Sequence, residues 1–486
     1  MSLPQNGFVN GGWSTPLHGD PVTVLDPATE EPLGSVAGLG AGDVEAVCTG
    51  AAEGFEVWRD VSAWERSAVL RRIADILRRD QQVFAAVMTA EQGKPLAQSA
   101  GETAASADQF DWYADEARRV YGRIVPGHLA TDRIHVYAEP IGPVLAFAPW
   151  NFPLLLPARK VAGALAAGCS VILAAPPEAP YCSLLLAGAA AEAGLPPGVL
   201  TVVTGDWRTL AGTLVDHPAV RKVTVTSSVP VGIELAVRAA GQVKPITLEL
   251  GGHSPVIVTP GRGVAEAARA CALGKFRNGG QVCIAASRFF VARAALEEFL
   301  DVFVATTSSL RLGPGDQEGV DVGPLASAAR RSATESLVAD AVAQGAQVVA
   351  GGRRPAEFDR GYYFEPTVLT GLSPQMAVMT REPFGPIAPI APYDDLEHAV
   401  AQANSTEYGL AGFVFTDDLE AGLRIARRLE VGMVGINNLT VATAEAPFGG
   451  VKHSGHGREG GSEGIGEFLV TKYVSARMPD PAGWAG

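Results

Sequence analysis

The sequence predicts an α/β protein: two doubly wound α/β domains, one of them Rossmann-like, plus a small β element. Three observations predict it. Short, continuous apolar runs alternate with Ala- and Leu-rich stretches from residue 141 onward, the alternation restarts after Gly252, and two β-rich segments fit neither half.

In the first half, Ser62 and Glu65 form an S-x-x-E capping signature, Leu70, Ile73, Ile76 and Leu77 recur at helical spacing, and Gly93 stands at a C-terminal cap. The spacing predicts one helix over 62–92. The runs VLAFA, SVILAA, VLTVV, KVTVT and PITLEL, at 144, 170, 199, 222 and 245, read as strands buried on both faces, with helical stretches at 181–193 and 231–240 between them. After Gly252 come a helix near 263–275, a Gly-rich turn, the SRFFVA strand, a helix near 295–309 and further alternation to about 440. The segments 132–138 and 467–475 are rich in β-formers, and protruding strands of this kind are expected to pair between subunits.

The chain has 486 residues, 47% hydrophobic and 19% charged, enough to bury large cores and far from disordered composition. A net charge of −14 with no basic stripe argues against a nucleic-acid partner. Five scattered cysteines, none in CxxC spacing, give neither a disulfide framework nor a thiolate metal site and point to a reducing compartment. The N-terminus lacks a basic segment leading into an apolar core, and the most apolar stretch, 141–175, is broken by prolines, Arg159 and Lys160; a cytoplasmic protein without a membrane partner is expected.

A lone cysteine is more often a small buried hydrophobe than a nucleophile. Cys283, however, ends the run Phe276-Arg277-Asn278-Gly279-Gly280-Gln281-Val282, whose glycines and polar residues deny the sulfur an apolar slot and allow close backbone approach to a ligand. Three more segments accompany it: Pro149-Trp150-Asn151-Phe152-Pro153, Leu248-Glu249-Leu250-Gly251-Gly252 and Glu382-Pro383-Phe384-Gly385-Pro386. In order and spacing, these four resemble the signature segments of the aldehyde dehydrogenase superfamily, over residues 7–478.

The resemblance implies that Cys283 attacks the aldehyde carbon to give a thiohemiacetal, which passes hydride to NAD or NADP and leaves a thioester for hydrolysis. It assigns Asn151 and the backbone N–H of Cys283 to an oxyanion hole, a kind of donor worth about 3–4 kcal/mol in the transition state. Glu249 is the implied general base, its pKa raised by partial desolvation at a strand end. Relatives that transfer the acyl group to coenzyme A generally lack this glutamate, so water is the expected acceptor. Glu459 is a second carboxylate for proton movement. The implied cofactor contacts are Pro149, Trp150, Ser228, Gly232, Leu250, Gly251, Glu382 at the nicotinamide ribose and Phe384 near the nicotinamide. The implied division is 1–121 with 141–251 for the cofactor, 252–450 for catalysis, and 122–140 with 451–486 for assembly into a homodimer or homotetramer.

Two segments depart from the family pattern. Where relatives carry Lys-Pro-(Ser/Ala)-Glu at the adenosine ribose, this chain has Ala174-Ala175-Pro176-Pro177, with Glu178 one position later. The pyrophosphate turn reads Thr226-Ser227-Ser228-Val229 rather than Thr-Gly-Ser-Thr; Ser228 remains, and its helix start can still offer N–H groups to phosphate. The preference between NAD and NADP therefore stays open.

Arg159 and Arg277 match positions that grip the distal carboxylate in succinate-semialdehyde dehydrogenases, and Thr443 adds a hydroxyl nearby. Paired guanidinium forks suit a short ω-carboxylated aldehyde. Structural ion pairs in an enzyme for neutral aldehydes are the alternative for these arginines. Two rival classes also stand: a thioesterase-like hydrolase using Cys283 and Glu249, and a non-catalytic relative with weak cofactor binding. His253, beside the glycine pair, is expected at the surface or in packing.

Overall fold

The computed structural model describes residues 3–13 and 17–478; positions 1–2, 14–16 and 479–486 of the ranges above lie outside it. A two-stranded hairpin, β1 (Gly19–Leu25) and β2 (Pro32–Gly38), precedes four helices, α1 (Val44–Trp58), α2 (Ala63–Arg79), α3 (Gln81–Gln92) and α4 (Leu96–Ala117). The capping box is present: Ser62 accepts from Glu65 N–H while Glu65 accepts from Ser62 N–H. Gly93 closes α3 at φ 92°, in the left-handed region a glycine favours. The single helix expected over 62–92 is two. The backbone leaves helical geometry at Asp80 (φ −100°, ψ 16°), a residue of low helix propensity whose carboxylate is drawn to Arg79.

Strands β3 (Arg123–Pro126) and β4 (Asp132–Pro140) follow, then the first doubly wound unit: β5 (Val144–Phe147), α5 (Leu155–Ala167), β6 (Val171–Ala174), α6 (Tyr181–Glu192), β7 (Leu200–Val203), α7 (Trp207–Leu214), β8 (Lys222–Thr226), α8 (Val229–Gly241) and β9 (Ile246–Glu249). The second unit contains β10 (Ser254–Val258), α9 (Val264–Phe276), β11 (Ala286–Ala292), α10 (Leu296–Ser309), α11 (Ala328–Ala343), β12 (Gln347–Ala350), β13 (Thr367–Thr370), β14 (Ile387–Tyr393), β15 (Ala411–Phe415) and β16 (Met433–Ile436). The tail adds β17 (Gly455–His456) and β18 (Leu469–Arg477).

The first sheet runs β17-β9-β8-β5-β6-β7, parallel except for the edge strand β17, which the chain returns from the tail to supply. Strand order reverses between β5 and β8, and a crevice outside the carboxyl ends of strands at such a switch point is the usual ligand position. Here the Pro149-Trp150-Asn151 loop leaves β5 and the start of α8 leaves β8 on either side of it. The second sheet runs β12-β13-β14-β11-β10-β15-β16, parallel except for β12. Both sheets are covered on both faces: every residue of β5, β6, β7, β8, β10, β11 and β15 is buried.

The two segments expected to pair between subunits pair with each other within the chain. β18 and β4 form a nine-residue antiparallel ladder, from Leu469 opposite Pro140 to Arg477 opposite Asp132, with β3 on the far side of β4. This places residues 329 to 345 positions apart side by side and leaves Ile124, Tyr137, Val470 and Tyr473 exposed on the sheet. Among the described residues no helix is long and apolar enough to cross a membrane.

Candidate active site

Cys283 lies between α9 and β11. It alone of the five cysteines is half-buried, and the other four are fully buried. The preceding turn holds three consecutive residues in the left-handed region, Asn278, Gly279 and Gly280, at φ 50°, 59° and 72°. At Gly280 a Cβ would meet the Gly385 carbonyl at 2.2 Å, so the glycine makes room for the Glu382–Pro386 loop rather than for a ligand.

Burial pushes the Cys283 thiol up to about 12, with Glu382 and Glu249 acting in the same direction and Arg159 against them. Glu249, at the end of β9, has both carboxylate oxygens buried without a hydrogen-bond partner. Its pKa is raised well above the ordinary value, first by burial, then by the Glu459 carboxylate, with Lys160, Arg159 and Arg458 opposing. The expected partial desolvation is thus complete. Space for this carboxylate is made by Gly449, where a Cβ would lie 2.7 Å from Glu249 Oε1. Glu459 is also buried, but one of its oxygens takes a hydrogen bond from Lys160 Nζ at 2.5 Å.

Asn151 is buried beyond the end of β5. Its Nδ2 donates to the Gln281 carbonyl at 3.0 Å, which leaves the second amide hydrogen free, while Oδ1 has no partner. The carbonyl of the same residue accepts from Lys94 Nζ at 2.7 Å and Asn278 Nδ2 at 2.9 Å. Sequence reasoning missed Lys94 and its buried partner Glu102, because a Lys beside a helix boundary carries no local mark of a long-range contact. Asn278 did leave a signal: in Asn278-Gly279-Gly280 all three residue types tolerate positive φ.

The residues expected at the cofactor are arranged around the switch-point crevice. Pro149 and Trp150 are half-buried, and Trp150 meets the Phe384 ring edge-on at 5.6 Å. Phe384 sits at φ 40°, a conformation a bulky residue rarely adopts. Glu382 accepts from Gly252 N–H at 2.9 Å, over Gly251, where a Cβ would meet its Oε2 at 2.5 Å. Burial raises Glu382 to about 7, while Gly252, Arg330 and Lys275 counteract. Ser228 is the exposed N-cap of α8 and makes no side-chain cap bond, so first-turn N–H groups remain available to an anion. Gly232 lets that helix sit on Leu250, whose side chain a Cβ would meet at 2.3 Å. These features fit the nicotinamide and pyrophosphate parts of a dinucleotide. In the loop expected at the adenosine ribose, Ala174 and Ala175 are buried, Pro177 is uncharged and Glu178 is exposed. Arg330, on the first turn of α11, acts electrostatically on both Glu178 and Glu382.

A cavity of about 630 Å³ is lined by Arg277, Phe152, Asn278, Val282, Ile284 and the 437–442 loop, so its wall runs through the residues flanking Cys283. Arg277 stacks over Phe152 at 5.6 Å, and Arg159 is buried over the Phe448 ring at 4.2 Å. Among the described residues neither arginine has an acidic group within 4.0 Å, so the structural ion-pair alternative does not describe them. Arg159 is not part of the cavity wall. Thr443 is half-buried just beyond the lining loop, with its carbonyl beside Gly460. His253 is buried rather than at the surface, bonded to Ser287 at 2.8 Å and packed edge-on to Tyr408.

Fold and site together define an enzyme with a cysteine beside an unpaired buried carboxylate, on a dinucleotide-binding scaffold. The chain belongs to the aldehyde dehydrogenase family, whose pattern matches residues 13–474, and shares its chemistry, the oxidation of an aldehyde with NAD or NADP. It is 45% identical to a 4-(hydroxymethyl)benzenesulfonate dehydrogenase of Comamonas testosteroni, over 96% of this chain and 97% of that one. It is 38% identical to the NADP(+) succinate-semialdehyde dehydrogenase of Escherichia coli, over 97% of each. The crystal structure of succinate-semialdehyde dehydrogenase from Burkholderia pseudomallei superposes with a TM-score of 0.94 at 41% identity, over 98% of each chain.

The raised thiol gives a direct test. Far below its pKa, the thiolate fraction grows with pH, so alkylation of Cys283 in cofactor-free protein should accelerate roughly tenfold per unit between about pH 7 and 9. A rate already level by about pH 8 would contradict it.

Proposed function

We propose that the protein oxidises a short aldehyde carrying a distal anionic group, such as succinate semialdehyde, to the carboxylic acid. The observation that carries this reading is Arg277, a guanidinium without an ionic partner, lining a cavity whose wall includes Val282 and Ile284 on either side of Cys283. In such a site an incoming anion would be the guanidinium's first partner, and the planar fork suits a carboxylate or sulfonate. The named activities of the relatives support the class: one acts on a benzenesulfonate, the others on succinate semialdehyde. In this reading Arg159, buried over the Phe448 ring, adds positive charge behind the site, and Thr443, next to the lining loop, would add a hydroxyl.

In the proposed mechanism the Cys283 sulfur bonds to the aldehyde carbon while the thiol proton passes to Glu249. The carbonyl oxygen takes up the negative charge and accepts hydrogen bonds from Asn151 Nδ2 and the Cys283 N–H. NAD or NADP, when bound, supplies the hydride acceptor; Glu382 and Phe384 would hold one end of it and the start of α8 its phosphates. The former carbonyl carbon gives up its hydride to leave the thioester, and Glu249 releases its proton to solvent. Glu249 then takes a proton from the water that attacks the thioester and returns it to the Cys283 sulfur as the carboxylic acid leaves. Lys160 is paired with Glu459, and the Glu459 carboxyl beside Glu249 adds to the effect of burial in raising the pKa of Glu249, with Lys160 opposing it. We further propose a cytoplasmic homodimer or homotetramer, supported by the five free cysteines and the exposed apolar residues of the β18-β4-β3 sheet.

Arg277→Ala should raise KM for succinate semialdehyde roughly tenfold or more and change KM for a neutral aldehyde of equal length less than about twofold, since a charge-assisted bond contributes about 1.5–3 kcal/mol; equal effects would refute the anion reading. Gly449→Ala, by crowding Glu249, is expected to lower kcat by roughly tenfold or more with the circular dichroism spectrum unchanged, and full turnover would remove Glu249 from the mechanism. The bare adenosine end predicts weak, poorly discriminating cofactor binding: dissociation constants for NAD and NADP, from tryptophan fluorescence titration, should lie within roughly tenfold of each other. Tight NAD binding with NADP excluded would overturn that reading.

A further inference from the structure

We propose that Lys94 and Asn278 form a clamp that positions Asn151, setting the direction of its amide toward the reacting oxygen across the junction of the two sheets. The inference rests on the proposed oxyanion role of Asn151 and extends it to two residues of the same cavity wall that have no role in that reading.

Lys94 lies in the turn between α3 and α4 and is 2% exposed. A buried ammonium is costly unless its hydrogens are used. Its Nζ donates to Glu102 Oε2 at 2.5 Å and to the Asn151 carbonyl at 2.7 Å, and it rests 4.1 Å from the centre of the Phe152 ring. The other oxygen of Glu102 accepts from Leu154 and Leu155 N–H at 3.0 and 3.1 Å, so the same ion pair pins the segment that carries Asn151 into α5. From the opposite side, Asn278 Nδ2 donates to the Asn151 carbonyl at 2.9 Å, which occupies both lone pairs of that oxygen.

Asn278 is itself held in its left-handed conformation by contacts on every polar group. Its Oδ1 accepts from Gln92, its N–H donates to Gln98, and its carbonyl accepts from the Gln281 side chain. Gln92 closes the ring by accepting the Lys94 N–H at 3.1 Å. By contrast, the Asn151 side chain has one anchor, Nδ2 to the Gln281 carbonyl, and its Oδ1 has none. The direction of the free amide hydrogen is therefore fixed by where the backbone of Asn151 is held, and Lys94 and Asn278 hold it. Two residues beyond Gln281 stands Cys283, so the clamp registers oxyanion donor and nucleophile against each other.

A double-mutant cycle on the cofactor-loaded enzyme tests this, reading the single-turnover acylation rate and the aldehyde KM. Asn278→Ala and Lys94→Met are each expected to slow acylation roughly tenfold while KM shifts less than about threefold. In an Asn151→Ala background, each is expected to cost less than about twofold, because a group acting only through Asn151 has nothing left to position. Additive losses would overturn the clamp, as would a fast Asn278→Ala enzyme. Lys94→Met strands Glu102 in the interior; if that variant does not fold, the uncharged Asn278→Ala arm decides alone. If Asn151→Ala itself retains full acylation, the oxyanion reading fails first, and the clamp fails with it.

Discussion

Glu249 is buried with neither carboxylate oxygen hydrogen-bonded, and the arrangement around it is what the remainder of the site depends on. An isolated ionised carboxylate in such surroundings is expensive, and the expense appears as a pKa far above that of an exposed glutamate. Several distant parts of the chain sustain it. β9 is enclosed between β8 and the returning β17, and Gly449 withholds a Cβ. Without this enclosure Glu249 would reach water and lose its raised pKa.

The same rule sorts the other buried charges. Lys94 with Glu102, and Lys160 with Glu459, are paired at hydrogen-bond distance and serve the framework. Arg159 and Arg277 lie instead against aromatic faces, with no carboxylate paired to them. The expected cofactor site is uneven by comparison: the crevice at the β5/β8 switch point has Glu382, an α8 without a side-chain cap and a constrained Phe384, whereas the loop after β6 carries Glu178 as its single charge.

By itself the sequence determined the chemistry and most of the elements. The strand runs at 144, 170, 199, 222 and 245 became β5 to β9 because continuous apolar runs can only be satisfied inside a covered sheet. The segments of Cys283, Glu249, Asn151 and Glu382 stood out as candidates because each is short and its neighbours constrain it. Tertiary structure alone decided what depends on residues far apart in the chain. It split the 62–92 helix at Asp80, joined β4 to β18 within one molecule, turned the Gly280 backbone toward Gly385, and buried His253. It also brought Lys94, 57 residues before Asn151, and Asn278, 127 after it, onto one carbonyl oxygen. Local spacing records propensity and periodicity, whereas hydrogen bonds between buried groups are set by packing, so the clamp could be seen only once the two sheets were in place.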